Sequence, residues 1–192
     1  EFPKDPEYRF ELSKTYAMNV PGVYLREQRA AFPDWSLRLS EAEAQLRRAI
    51  TEAETLITEH PTAPQYRALV ADTRRKLGFV LKETEDLKGA EVELRTALDF
   101  QKDLLKRFPT IPSYQRSLAR TRSLLGNLLF EAQRFAEAKS LVEDSISDLT
   151  AYVEISPQNR YAKRRLAGQY ETLAKILLKQ GKPAMAVDAA GK

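Results

Sequence analysis

Cysteine is absent from this chain, which excludes disulfides, thiolate metal sites and cysteine nucleophiles and leaves the redox compartment open. Glycine is scarce, at 7 of 192 residues, and none of it forms a phosphate-cradling loop or a nucleophile elbow. Histidine occurs once, as His60, so no zinc-type pair of imidazoles exists. No apolar run approaches the roughly 20 residues that span a bilayer. The opening Glu1-Phe2-Pro3-Lys4 lacks the layout of a signal peptide. A strong charge of one sign is missing too, the formal net charge being +4.

What is present is a helical composition, 43% hydrophobic and 30% charged, which argues against disorder and fits a soluble helical protein. The chain also repeats itself. His60-Pro61-Thr62-Ala63-Pro64-Gln65-Tyr66 returns 48 residues later as Phe108-Pro109-Thr110-Ile111-Pro112-Ser113-Tyr114. The match continues through Ala71/Ala119, Thr73/Thr121, Arg74/Arg122, Leu77/Leu125, Gly78/Gly126 and Ala90/Ala138, and the same step reaches Pro157, Leu173, Ala174 and Ala186. A fixed period means stacked modules, each packing on its neighbours.

One continuous array over 1–192 is therefore expected, with repeats at about 1–59, 60–107, 108–155 and 156–192. The first carries an insertion at 21–39 and the last is incomplete. Pro21-Gly22 should end the first helix. Val23 to Pro33 then forms an elaborated connection, and Tyr24, Phe32 and Trp35 are read as a cap over the open end, since a terminal repeat must cover an apolar face. A second helix should begin near Asp34 or Ser40, where Ser40 and Glu43 have capping-box spacing, and run to Glu59. Further pairs are expected at Pro64 to about Glu83 and Leu87 to Arg107, then at Pro112 to about Glu131 and Phe135 to Ile155. Gln158 to Gln180 follows, with a restart at Pro183. Gly78, Gly126 and Ala174 on first helices, against Ala90, Ala138 and Ala186 on second helices, should let each pair lie close. The chain lacks an initiator Met and stops partway through a repeat, so it is expected to be a segment of a longer protein.

These residues resemble the tetratricopeptide repeat. The pair before the elbow is Leu77-Gly78, Leu125-Gly126 and Leu173-Ala174, followed by Leu81, Leu129 and Leu177; the small residue opening the second helix is Ala90, Ala138 and Ala186. The family unit is about 34 residues; the longer step here corresponds to roughly two added turns per helix, like the long-helix versions in some bacterial regulatory proteins. Arg74 and Arg122 stand where the family has an aromatic residue, which appears only as Tyr170. The resemblance implies an all-α superhelix whose first helices line a concave groove for a partner peptide.

In that register Arg75, Phe79 and Lys82, then Arg116, Arg120, Ser123 and Asn127, then Arg164, Glu171 and Lys175 should face or border the groove. Guanidinium groups there would hold carboxylates through charge-assisted bonds; ordinary solvated faces are the bland alternative. The two-carboxylate clamp of chaperone-binding relatives also uses Asn at a set place. Asn127 fills one such place, and Phe79 and Lys175 stand at its counterparts. From Arg160 to Lys192 there are eight Lys or Arg against Glu171 and Asp188, so this end is basic. His60 has Phe108 as its counterpart and reads as a packing residue. Glu83, Glu85 and Asp86 read as a solvated elbow. The expectation is a non-catalytic interaction scaffold with no cofactor or metal, binding a protein or peptide with acidic groups. The alternatives are a basic surface for nucleic acid or another polyanion, and self-association through the incomplete last repeat.

Overall fold

A computed structural model describes residues 5–18 and 34–191. Among them are eight α-helices and no strand: α1 Pro6–Met18, α2 Trp35–Glu59, α3 Pro64–Glu83, α4 Leu87–Arg107, α5 Pro112–Glu131, α6 Phe135–Ile155, α7 Arg160–Lys179 and α8 Pro183–Ala190. The chain divides into two compact units, Glu1–Leu104 and Leu105–Lys192. Tyr24 and Phe32 lie outside the described residues, as does most of the expected insertion.

In the first unit, α2 packs on both α1 and α3. The α3–α4 pair is antiparallel, with Gly78 against Ala90 and Leu94 and Arg74 against Glu93. Leu46, Leu56, Leu77 and Leu94 are fully buried, each contributing about 1.5–3 kcal/mol through removal of its apolar surface from water. Trp35, 6% exposed, is the first residue of α2, so of the two expected starts the helix takes the one at Asp34. Ser40 therefore sits inside the helix, and the expected capping box does not form. Asp34 is the N-cap without a side-chain cap bond and instead accepts a hydrogen bond from Arg38 Nε at 3.0 Å.

In the second unit, α5 and α6 form the same antiparallel pair, with Gly126 against Val142 and Ala138. Helix α7 packs on α6 and α8 on α7. Leu125, Leu129, Leu149 and Ile176 are buried in this unit. Arg120 reaches Tyr161 and Asn127 reaches Thr172, so α5 and α7 run parallel.

The 48-residue step is visible in backbone geometry. At the elbows Glu85, Gln133 and Gly181 all take positive φ, of 67°, 60° and 71°. After α5, Arg134 N donates to Leu129 O and Gln133 N to Phe130 O; after α7, Lys182 N donates to Leu177 O and Gly181 N to Leu178 O. Both ends are Schellman caps, which satisfy helix-end carbonyls by turning one residue left-handed. At the junctions, Pro64 and Pro112 open α3 and α5, where the missing amide proton costs nothing. Helix α7 starts differently, the Asn159 side chain accepting from Ala162 N at 3.0 Å. The His60 and Tyr66 rings lie 5.9 Å apart, and Phe108 and Tyr114 6.2 Å apart. His60 thus occupies an aromatic junction contact that Phe108 also makes.

Candidate functional site

Helix α3 carries the first three candidate residues. Arg75 Nη2 donates to Asp72 Oδ1 at 2.5 Å, and Lys76 Nζ lies 3.1 Å from Asp72 Oδ2 while donating to Ala17 O at 3.0 Å. Burial pushes the Asp72 carboxyl up, but the charges of Arg75 and Lys76 outweigh it and hold the pKa at about 2. Two cations and one carboxylate make this group locally satisfied, and Arg75 is committed within its own helix. Phe79 and Lys82 are half-buried.

The recurring pair Arg74 and Arg122 is committed as well. Arg74 ties three helices together, pairing with Glu54 of α2 and with Glu93 of α4 at 2.6 Å. Arg122 pairs with Asp148 at 2.5 Å and Asp144 at 3.4 Å, both on α6. Burial raises the Asp148 pKa, Asp144 adds to the rise, and Arg122 only partly offsets it. The arginine keeps its place from repeat to repeat while its acidic partners change position. Each Arg pairs with two carboxylates from neighbouring helices.

The remaining candidates lie on α5 and α7. Arg116, Arg164 and Lys175 are exposed. Ser123 is buried, its hydroxyl 2.7 Å from that of Ser145; the pair faces inward and does not belong to an exposed wall. Asn127 is half-buried and accepts from Thr172 Oγ1 at 3.4 Å. Arg120 is half-buried, and its Nη2 donates to the Tyr161 hydroxyl at 3.0 Å. Arg165 Nη1 donates to the same oxygen at 3.3 Å. The Arg120 and Arg165 guanidinium carbons sit 5.2 and 5.8 Å from the Tyr161 ring centroid, within cation–π range. Burial raises the Tyr161 pKa, yet the Arg120 hydrogen bond and the charges of Arg165 and Arg120 prevail, leaving it below the ordinary tyrosine value.

Acidic side chains are sparse here. Helix α5 has no Asp or Glu before Glu131, and α7 has only Glu171. The second unit thus carries a strip of cations on its two first-of-pair helices, from which only Arg122 is neutralised by carboxylates among the described residues.

The chain matches no protein-family model and no curated protein.

Tyr161 has no place among the residues that the repeat register selects, because its contact with Arg120 is made between helices. The one local signal is its position four residues before Arg165, a spacing that puts both on one helical face. No helix among the described residues is long and apolar enough to cross a membrane.

Proposed function

We propose that this chain is a non-catalytic protein-interaction module of the tetratricopeptide kind. In this reading its helix pairs, repeated every 48 residues, continue as one superhelical array whose first helices receive an acidic peptide or protein segment.

The observation that carries the reading is the cationic strip on α5 and α7. Arg116 and Arg164 stand one step apart, both exposed and without a carboxylate on either helix to neutralise them until Glu131 and Glu171. Exposed guanidiniums of this kind gain little from the fold itself, whereas charge-assisted hydrogen bonds to a partner's carboxylates contribute about 1.5–3 kcal/mol each. The repeat step supports the array, because the elbow φ values and the small-residue contacts recur with it in both units.

A polyanion would meet the same charges. Titrating salt against binding of a Glu-rich peptide and of a single-stranded RNA separates the two. Peptide binding that exceeds RNA binding supports the interaction module. Tight, sequence-blind RNA binding with a steep salt slope contradicts it.

A further inference from the structure

We propose, resting on the interaction reading above, that Arg120, Tyr161 and Arg165 form a subsite for the phosphorylated side chain of a partner peptide.

The one acceptor among the three side chains, the Tyr161 oxygen, is already taken by the two guanidiniums. Two guanidiniums converge on one neutral oxygen, at 3.0 and 3.3 Å, and no carboxylate is paired with either Arg120 or Arg165 among the described residues. Like charges held this close repel unless an anion lies between them. The Tyr161 oxygen already accepts from both arginines, so its own proton is free to be donated outward, and Tyr161 is 51% exposed. The nearest acidic residues along the two helices are Glu131, eleven positions beyond Arg120, and Glu171, six beyond Arg165. At 1.5 Å of rise per residue these are about 16 and 9 Å away along the axes. The lowered Tyr161 pKa reports the same positive potential.

The number of charges and oxygens selects among anions. A carboxylate brings one charge and two oxygens in one plane. A phosphoryl group brings a charge of about −1.5 to −2 and three acceptor oxygens, which matches two guanidinium forks and one hydroxyl. Arg116 lies one turn before Arg120 and Arg164 three residues after Tyr161, so the peptide on either side of the phosphoryl group would run along further cations.

The test uses the full chain and three synthetic peptides identical but for one position, carrying phosphoserine, Glu or Ser, with binding followed by fluorescence anisotropy. The phosphoserine peptide should bind about tenfold more tightly than the Glu peptide. Tyr161→Phe should reduce that preference several-fold, and Arg120→Gln with Arg165→Gln should remove it. Arg160→Gln, a charge change outside the cluster, should leave the preference in place. Melting curves of each variant check that the helices persist. Equal binding of the phosphoserine and Glu peptides overturns the subsite while leaving the interaction reading standing. A preference unchanged by the Tyr161 and arginine substitutions also overturns it. Failure of both charged peptides to bind overturns subsite and scaffold together, as does their displacement by single-stranded RNA at equal charge.

Discussion

A methyl group placed on Gly78 would fall 2.7 Å from Leu94 Cγ and 3.1 Å from the Ala90 carbonyl oxygen. The two helices of this pair therefore approach as closely as the absence of a side chain allows, and the glycine is there for packing rather than for backbone freedom. At the next step the corresponding methyl on Gly126 would meet Val142 Cγ2 at 2.9 Å, with the Ala138 carbonyl at 3.6 Å. Val is smaller than Leu, and the clash is correspondingly milder. In the last pair the residue two steps on from Leu94 is Ala190, and Ala174 replaces the glycine.

Alanine substitution at three of the helical glycines should reproduce that order. Alanine gains about 0.8–1 kcal/mol in helix propensity over glycine, while overpacking costs about 1–3 kcal/mol. Gly78→Ala should lose about 1–2 kcal/mol net. Gly126→Ala should lose less. Gly168, whose Cβ would meet nothing within 4 Å, should gain nearly the full propensity term as Gly168→Ala. Urea unfolding of the three variants measures the differences.

The elbows make a second prediction. Glu85 and Gln133 hold φ values of 67° and 60°, a region costing roughly 1–2 kcal/mol for a residue with a Cβ. Part of that gain is offset because glycine loses more entropy on folding. Glu85→Gly and Gln133→Gly should each stabilise by about 0.5–1 kcal/mol, and Gly181→Ala should destabilise by about 1 kcal/mol. Thermal melts check all three.

Acid should act on the first unit through Asp72. Its folded pKa of about 2 lies below the ordinary carboxylate value of 3.8, so its contribution is present above pH 3.8 and drains away as pH falls toward 2. Asp72→Asn should lower stability at neutral pH, and the gap from the parent should close between about pH 4 and 2. Asp148 has the opposite sign: its raised pKa makes protonation favour the fold. Asp148→Asn should not reproduce the narrowing gap. Denaturant midpoints measured across that pH range distinguish the two.

Helices α3 to α6 were legible in the sequence because proline openings and the 48-residue step mark both ends of each pair. The start of α2 was legible only as a choice between Asp34 and Ser40, and Asp34 is its N-cap. Ser40 and Glu43 have the spacing of a capping box, but Trp35 finds a buried site that extends the helix one turn and more before them. Along α3, the spacing of Asp72 and Arg75 already contained the ion pair that commits Arg75, a local relation readable from three-residue separation. The pairing of Arg120 with Tyr161 was not readable in this way. It joins positions 41 apart on different helices, and nothing in the repeat register favours it, since Tyr161 has Ser113 as its counterpart. Ser123 misled for a related reason: register placed it on the groove face with Arg120, whereas the Ser145 hydroxyl across the pair draws it inside.

The most direct measurement is binding of a fluorescent Glu-rich peptide to the chain carrying Arg116→Glu and Arg164→Glu. Both positions are exposed, so the melting temperature should stay within a few degrees of the parent. Affinity should fall by about a hundredfold, as expected when two charge-assisted contacts become repulsive. Undiminished affinity in a variant that melts normally would contradict the account.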